Sequence, residues 1–287
     1  MRDYIELTKP RITWLILMST GIGYYFGLPG AGFGAIDWLV LFHTMLGTAL
    51  IASGTAALNQ WYEHEADARM RRTSHRPIPS GRVTPGRAFA FGVLLSVAGF
   101  LELWFGVNSV AALLGAFTLG SYLFVYTPLK QRSKHSTTVG AIPGAMPSLI
   151  GCAAAAGTLT VDAWVLYAIL FLWQFPHFYA IAWMYREDYA RAGIRMLPVV
   201  EPDGRSTARQ ILICETLLVL VSFIPTYLGM AGKFYLVGAT ILGLMFLRAG
   251  LRLSLERTGM RARQVLMASV VYLPVLYALL VLDRPGL

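Results

Sequence analysis

Residues 58–82 read LNQWYEHEADARMRRTSHRPIPSGR, and this charged stretch directly follows the apolar run 38–58. It presents two amides and three carboxylates first, and five arginines after them. The rest of the chain is very different, because 56% of its 287 residues are hydrophobic and only 14% are charged, with a mean hydropathy of +0.58. Soluble domains average about 25% charged residues. The composition therefore predicts a membrane protein in which this stretch is a polar connection between spans.

Apolar runs of membrane-spanning length recur along the whole chain. A transmembrane helix needs about 20 predominantly apolar residues, and it tolerates the Gly and Pro that several runs contain. We predict an all-α, polytopic membrane protein whose residues 1–287 form a single domain. Nine runs are expected to span, at about 12–28, 38–58, 88–106, 108–126, 139–157, 163–184, 210–229, 233–251 and 265–282.

The basic residues are sorted by membrane side. If the N-terminus is cytoplasmic, 22 of the 24 Lys and Arg residues fall in cytoplasmic segments, and only Lys233 and Arg284 lie on the other side. This is the positive-inside pattern, and it predicts a cytoplasmic N-terminus and an external C-terminus. The net charge of +9 is therefore explained by membrane topology, and no nucleic-acid partner is expected. The first residues mix acids with bases, unlike a signal or transit peptide, which favours a prokaryotic cytoplasmic (inner) membrane. Whether the five bases of 248–263 do more than set topology stays open.

Asn59, Glu63 and Asp67 are spaced four residues apart. On a helix they fall within an arc of about 80° and span about 12 Å, whereas Glu65 points to another face. Oxygen ligands on one face at the mouth of a bundle suit a hard cation such as Mg²⁺. A solvated helix end that is merely acidic explains the triplet equally well.

The arginines that follow favour the metal interpretation. Arg69, Arg71, Arg72 and Arg76 come within ten residues of Asp67. Carboxylates beside several arginines are what a metal–diphosphate site requires, since the metal bridges phosphate oxygens and Arg takes the remaining ones. The prolines and glycine of RPIPSG (76–81) are expected to end the helix, and Thr84 is expected to cap the next one with Pro85 at its first position.

Two further loops on the same side carry similar residues. The loop FVYTPLKQRSKHSTT contains Lys130, Arg132 and Lys134, which serve either as topological anchors or to neutralise phosphate. At the end of the sixth run, Glu187 and Asp188 lie among arginines, in what looks like a second and poorer copy of the first motif. A metal-bound diphosphate between these two helix ends would explain both motifs.

In these residues the chain resembles the intramembrane prenyltransferases of the UbiA superfamily. That superfamily carries an Asn-Asp-x-x-Asp-x-x-x-Asp motif after its second helix, then Arg-Pro-Leu-x-x-Gly, a Tyr-x-x-x-Lys motif after the fourth helix and an Asp-rich motif after the sixth. The matches here follow the same order on one membrane side: Asn59, Glu63 and Asp67; RPIPSG at 76–81; YTPLK at 126–130; and YREDYARAG at 185–193.

The departures from these motifs are specific. Gln60 and Glu63 stand where the superfamily has Asp, and Tyr185 and Tyr189 stand where the outer acids of the second motif would be. Together with WQFPHF and DYARAGIRMLP, they resemble the branch of the superfamily that prenylates haem. The departures leave the number of metal ions and the role of the second motif open.

The resemblance implies a UbiA-type bundle of about nine helices and an enzyme for haem biosynthesis. It implies transfer of a farnesyl group from farnesyl diphosphate to a vinyl group of haem B, giving haem O, with Mg²⁺ as cofactor and the lipid bilayer as surroundings. It leaves open whether a downstream haem A synthase is a partner. The expected catalytic residues are Asn59, Glu63, Asp67 and Asp188, and the same four with Glu187 are the expected metal ligands. The expected diphosphate-binding residues are Lys9, Arg72, Arg76, Lys130 and Arg132.

His177, in QFPHF, is the best of the five histidines for contact with the haem iron or a propionate. An ionisable residue inside a membrane is functional by default, but a lone His also packs as a neutral side chain against a neighbouring helix.

Three other functions compete with haem prenylation. A related prenyltransferase would act on an aromatic or quinone precursor. A haem carrier or transporter would place charges near the middle of the membrane, where only Glu102 and Glu215 come close. A CDP-alcohol phosphotransferase would need an Asp-Gly-x-x-Ala-Arg motif, which is absent.

Overall fold

The computed structural model describes residues 1–30 and 33–286, and within these ranges the chain contains helices and connections but no strand. Nine helices are long. In chain order they are α1 (Pro10–Gly27), α2 (Trp38–Tyr62), α3 (Pro85–Gly106), α4 (Ser109–Leu129), α5 (Ser136–Ala156), α6 (Val161–Met184), α7 (Arg205–Tyr227), α8 (Lys233–Leu255) and α9 (Gly259–Leu282).

Eight of these nine helices, α2 to α9, are long and apolar enough to cross a membrane. Helix α1 is the exception, because its sequence includes Arg11 and several hydroxyl and glycine residues and is less apolar than the others. The predicted multi-pass, all-α membrane fold is confirmed.

The helices extend beyond the apolar runs that revealed them. Helix α7 begins at Arg205 instead of about 210, and α9 begins at Gly259 instead of about 265, because polar residues form the first helical turns. Thr84 caps α3 as expected, since its hydroxyl accepts a hydrogen bond from the backbone N–H of Arg87. Helix α2 ends at Tyr62, and the short helix His64–Ala68 follows after a break at Glu63.

Small residues let neighbouring helices approach closely. Helices α2 and α3 meet at glycines seven residues apart on each: Gly47 lies against Gly99, and Gly54 lies against Gly92. Membrane helices commonly associate through such small residues, because lipid offers no hydrophobic driving force between them. The apolar core runs through the bundle and includes large side chains of α6, α8 and α9.

The polar connections collect at one end of the bundle. Helices α2, α4 and α6 finish there, and four short helices lie beside them: Arg2–Leu7, His64–Ala68, Arg186–Arg191 and Leu197–Val200. The backbone N–H of Arg195 donates to the carbonyl of Lys130 at 2.7 Å, which ties the loop after α6 to the loop after α4. This end therefore brings the three predicted motifs together.

Candidate active site

Asn59, in the last turn of α2, lies at the centre of a chain of polar contacts. Its Oδ1 accepts a hydrogen bond from Nζ of Lys9 at 3.1 Å, and its Nδ2 donates to Oε2 of Glu63 at 2.9 Å. Glu63 in turn accepts from Nζ of Lys130, which lies 2.8 Å from Oε1 and 3.1 Å from Oε2. Residues from the N-terminus, α2 and the end of α4 thus meet around one amide and one carboxylate.

Lys9 is held in an uncommon backbone conformation. Its φ of 48° and ψ of 62° are left-handed, and it is the only residue other than glycine with a positive φ in the described part of the chain. Such strain tends to occur at functional sites, where the surrounding structure enforces it. Burial lowers the pKa of the Lys9 amine to about 7, and the charges of Arg76 and Lys130 act in the same direction. At neutral pH the Lys9 amine is therefore only partly protonated, and an anion bound beside it would favour the charged form.

Glu63 and Lys130 form a buried ion pair. Burial opposes the ionisation of Glu63, but the charge and hydrogen bond of Lys130, with further help from Lys9 and Asn59, hold its pKa below the usual value. Burial likewise disfavours the charged Lys130, yet Glu63 holds the pKa of that amine well above its usual value. Both side chains are therefore charged at neutral pH.

The end of α4 is shaped to deliver Lys130. Residues Ser121–Tyr126 form a π-helical segment, a feature that is rare in proteins and frequent at functional sites. The Lys130 ammonium lies over the Tyr126 ring, 4.6 Å from its centroid. Thr127, also buried, accepts a weak hydrogen bond from Nδ2 of Asn59 at 3.4 Å. The YTPLK motif thus contributes a ring, a hydroxyl and an amine to one place.

Asp67 is almost fully buried, at 1% exposure, and pairs with Arg76, whose Nη1 lies 2.6 Å from Oδ2. The chain reverses between the two residues, and the hydroxyl of Thr73 donates to the backbone carbonyl of Asp67 at 2.9 Å. The helix therefore ends at Ala68, ahead of Pro77, and the expectation that the prolines end it is wrong. Because of the break at Glu63, the three predicted ligands do not lie on one continuous helix.

The second motif is organised around Asp188 and Arg72. Asp188 accepts a hydrogen bond from the backbone N–H of Arg72 at 3.3 Å and forms an ion pair with Arg191. The Arg72 guanidinium lies over the rings of Tyr185 and Tyr189, and Nη2 donates to the Tyr189 hydroxyl at 3.0 Å. Its Nε is buried and has no hydrogen-bond partner in the described part of the chain. The loops after α2 and α6 therefore form one unit.

Gln60 has a structural role that explains why it is an amide. Its Nε2 donates to the backbone carbonyl of Leu7 at 2.8 Å, which ties α2 to the short helix Arg2–Leu7. An Asp at this position, as in the superfamily motif, could not donate this hydrogen bond. Gln60 is therefore bonded to the N-terminal segment and not to the acidic residues.

Some expected site residues lie outside these contacts. Arg132 and Glu187 are exposed, and neither forms an ion pair within residues 1–30 and 33–286. Lys134 pairs with Glu201 at 2.7 Å. His177 lies higher in α6, where its Nδ1 is 2.9 Å from Oγ of Ser269 on α9. Among the described residues, no three His, Cys, Asp or Glu side chains converge on one point, because Glu63, Asp67 and Asp188 each pair with a different base.

Tyr126, Tyr189 and Arg191 contribute to the site and lie in the quoted motifs, but they are not among the predicted catalytic, metal-binding or diphosphate-binding residues. The four-residue spacing from Tyr126 to Lys130 and the three-residue spacing from Asp188 to Arg191 were the available signals, since side chains three or four apart on a helix are neighbours.

The chain matches relatives and solved structures over nearly its whole length. The protoheme IX farnesyltransferase of Solibacter usitatus (strain Ellin6076) is 69% identical over 292 residues, covering 100% of both chains. The protein described as digeranylgeranylglyceryl phosphate synthase has a similar structure, with a TM-score of 0.81, 19% identity and coverage of 100% of this chain and 99% of that one. A UbiA homolog from Archaeoglobus fulgidus, bound to GPP and Mg²⁺, has a TM-score of 0.63 at 14% identity and covers 97% and 99%.

The family assignment agrees with the motifs. Residues 19–273 match the sequence model of the UbiA prenyltransferase family. They include the ends of α2, α4 and α6, where the acids and bases meet. The predicted fold and the predicted enzyme class, a prenyltransferase, are confirmed. The chain belongs to the UbiA prenyltransferase family.

Proposed function

We propose that this protein transfers a farnesyl group from farnesyl diphosphate to a vinyl group of protohaem IX, producing haem O for cytochrome oxidase haem biosynthesis. The observation that supports it most is the pairing of three buried carboxylates, Glu63, Asp67 and Asp188, with three separate cations at one end of the bundle. The 69% identity with a protoheme IX farnesyltransferase over the whole of both chains supports the choice of substrates.

The buried oxygen atoms suit a divalent metal. Asn59, Glu63, Asp67 and Asp188 are all buried and offer only amide and carboxylate oxygens, the ligands that Mg²⁺ prefers. Glu187 is exposed beside them and is available as a further ligand. We assign Mg²⁺ to these residues. When bound, it would neutralise charge on the diphosphate and so make that group easier to expel.

The cations would bind the diphosphate. Lys130 and Arg76 are held by carboxylates in the structure, and they would turn to phosphate oxygens when metal and diphosphate bind together. The Arg72 guanidinium lies over two tyrosine rings, and its buried Nε has no hydrogen-bond partner among the residues that the structure describes, so the guanidinium is already oriented to bind an anion. Lys9 would become a fourth cation when the diphosphate favours its protonated form. Arg132 is exposed two residues after Lys130 and is available to bind the diphosphate as well. Such preorganised charges favour departure of the leaving group.

The reaction breaks the bond between the first farnesyl carbon and the diphosphate oxygen. The allylic cation that results must be kept from water, and the apolar interior of the bundle supplies a dry environment. The π electrons of the haem vinyl group form the new carbon–carbon bond. Water then adds to the second cation, which lies next to the haem ring, and loss of a proton leaves the hydroxyl group of haem O.

The haem is assigned to the region of His177 on α6. Its ring stacks on Trp173, with centroids 4.7 Å apart, and its Nδ1 contacts Ser269. His177 precedes the end of α6 by seven residues, or about 10 Å along the axis. This separation is compatible with a haem whose vinyl edge points towards the diphosphate site. Because Nδ1 of His177 contacts Ser269, its Nε2 would be the atom that contacts the iron or a propionate.

We also propose that the protein lies in the inner membrane of a prokaryotic cell. The N-terminus, the three catalytic loops and most of the Lys and Arg residues are assigned to the cytoplasmic side of the inner membrane. Water-soluble diphosphate would then be released into the cytoplasm. The association with a downstream haem A synthase stays a prediction.

A direct assay tests the function. Purified full-length protein is incubated with farnesyl diphosphate, Mg²⁺ and haem, and haem O is measured by mass spectrometry. We expect haem O to form only when all three are present, and to disappear when the metal is chelated. An aromatic acid in place of haem is the control for a related prenyltransferase. A prenylated aromatic acid without haem O would contradict the assignment, and so would haem binding without any product.

A further inference from the structure

A cavity of about 290 Å³ lies between the ends of α7 and α8, on the same side of the membrane as the candidate active site. Three arginines line it, Arg205 and Arg209 from α7 and Arg257 from the segment after α8, together with Ser254. The apolar part of the wall comes from Leu212 and Ile213. No carboxylate is among its lining residues, so the cavity has the donors and the charge for an anion.

Asp203 contacts two of the three cavity arginines, but it does not neutralise all three positive charges. Asp203 lies 3.7 Å from Nε of Arg205, and its backbone carbonyl accepts a weak hydrogen bond from Arg257 at 3.4 Å. Arg209 is exposed and forms no ion pair in the described part of the chain. Glu201 is close enough to Arg209 to interact with its charge, but it already pairs with Lys134. The cations therefore outnumber the carboxylates, and an anion entering the cavity would meet a net positive charge.

A second, narrower gap adjoins this cavity. Arg257 and Ala208 line both, and Trp183 and Thr207 line the narrower one. The indole N–H of Trp183 and the hydroxyl of Thr207 are buried and have no hydrogen-bond partner among the described residues. This gap has no room for a water molecule, so the two donors belong to the packed wall behind the cavity and not to the space that a ligand would fill.

The surface below the cavity is apolar and faces lipid. Arg209 is followed on the same face of α7 by the exposed side chains of Ile213, Leu217 and Leu220. A ligand with an anionic head and hydrocarbon chains would match both parts, with the head on the arginines and the chains along this face. Basic pockets between transmembrane helices on the cytoplasmic side are suited to anionic lipid headgroups.

We infer that this cavity binds the headgroup of an anionic phospholipid from the cytoplasmic leaflet. The site differs from the diphosphate site, since none of its lining residues is an expected ligand of metal or prenyl diphosphate. It gives Arg257 a function beyond topology within the basic group 248–263. It does not depend on the proposed reaction, because lipid binding is measured without substrates.

Native mass spectrometry of the purified full chain in detergent tests this inference. The protein is titrated with phosphatidylglycerol or phosphatidylcholine, and dissociation constants are derived from the lipid-bound species. The variant Arg209→Gln/Arg257→Gln removes two cavity charges. The matched control Arg248→Gln/Arg263→Gln removes two exposed charges of the same cytoplasmic surface that do not line the cavity.

We expect the first bound phosphatidylglycerol to bind about thirtyfold more weakly to the cavity variant, since each Arg near an anionic lipid contributes roughly fivefold. The control variant and phosphatidylcholine binding should not change. Arg209→Gln alone should weaken binding about fivefold and should fold normally, because Arg209 forms no ion pair with any residue that the structure describes. Equal weakening in the control would contradict the inference. Displacement of the lipid by excess inorganic phosphate or by haem would also overturn it, in favour of a free-phosphate or haem-carboxylate site.

Discussion

Asp67 is the acid on which the metal assignment depends most. It is buried, and Arg76 is its ion-pair partner. We expect Asp67→Ala to abolish haem O formation, and Asp67→Asn, which keeps a hydrogen-bond acceptor for Arg76, to lower the rate by at least about 100-fold because electrostatic support for the leaving group is lost. Product is measured by mass spectrometry, and insertion and folding by size exclusion and circular dichroism.

Glu65 provides the matched control for Asp67. It lies two residues away on an exposed face, so Glu65→Ala should retain activity. Near-normal haem O formation by Asp67→Ala would contradict the metal assignment. If Asp67→Ala loses both activity and folding, Asp67→Asn separates the two effects, because Asn has the same shape as Asp and should let the protein fold.

Tyr189 is expected to act by positioning Arg72. Its hydroxyl accepts a hydrogen bond from Nη2 of Arg72 at 3.0 Å, whereas Tyr185 contacts the same guanidinium through its ring alone. Tyr189→Phe keeps the ring and removes the acceptor. A hydrogen bond to a charged group contributes about 1.5–3 kcal/mol, so we expect KM for farnesyl diphosphate to rise about tenfold or more.

The comparison variant for Tyr189 is Tyr185→Phe, in which the ring contact is preserved. Steady-state kinetics should show little change in KM for this variant. A larger KM effect in Tyr185→Phe than in Tyr189→Phe would contradict the assigned role of the hydroxyl.

His177 is the residue expected to contact the haem iron or a propionate. We expect the haem Soret shift seen on binding to be lost in His177→Ala and retained in alanine variants of the other four histidines, His43, His64, His75 and His135. The reason is that His177 is half-buried beside Trp173 and Ser269 in the region assigned to haem. Absorption spectroscopy of each purified variant with added haem gives the result. An unchanged spectrum in His177→Ala would remove His177 as a ligand.

At the residue scale, the sequence indicated which residue types meet but not which atoms pair. The acids of the first and second motifs and Lys130 could be predicted, because helix spacing and loop order place them at one membrane face. The pairing of Asp67 with Arg76 could not, because it depends on a chain reversal that the hydroxyl of Thr73 stabilises. Nor could the role of Gln60 be predicted, since its partner, the carbonyl of Leu7, is 53 residues away.

At the element scale, helix α2 depends on its close contact with α3. A Cβ atom added at Gly99 would lie 2.7 Å from the carbonyl oxygen of Gly47 and from the backbone nitrogen of Ile51. Backbone atoms cannot move as flexible side chains do, so we expect Gly99→Ala to destabilise the bundle by about 1–3 kcal/mol. Thermal unfolding in detergent, followed by circular dichroism, gives the change in Tm.

Gly86 is the matched control on the same helix. A Cβ atom there would have nothing within 4 Å, so Gly86→Ala should leave Tm nearly unchanged. Since α2 carries Asn59 in its last turn, a tilt of α2 in Gly99→Ala should also lower activity. An unchanged Tm in Gly99→Ala would show that the two helices separate easily.

The helices themselves were predictable, but their irregularities were not. Apolar runs of spanning length identified all nine, and Thr84 with Pro85 identified the start of α3 correctly. Hydropathy does not report the π segment Ser121–Tyr126 or the break at Glu63, because both arise from hydrogen bonding at a crowded helix end. These two irregularities place Lys130 and Glu63 in contact.

At the scale of the whole molecule, the number of spans decides which side of the membrane the C-terminus occupies. Helices α2 to α9 are apolar enough to span, and α1 is less apolar. Eight spans would place both termini on the same side, whereas nine place them on opposite sides. The sorting of Lys and Arg favours nine, since a cytoplasmic N-terminus leaves only Lys233 and Arg284 outside.

Reporter fusions measure this topology directly. Alkaline phosphatase, which is active only outside the cytoplasm, should be active when fused after Leu287 and inactive when fused after Arg257, behind α8. Green fluorescent protein at the same two positions should give the opposite result. Helix α1 packs against α5, whose residues are mostly buried in the bundle, so α1 has a place among the spans even though its sequence is less apolar. Lys9 contacts Asn59 at one end of the bundle, and Arg284 contacts the backbone carbonyl of Tyr25 at the other end. The C-terminus and the diphosphate site therefore lie on opposite sides of the membrane, and an inactive phosphatase after Leu287 would contradict the assignment of the site to the cytoplasmic side.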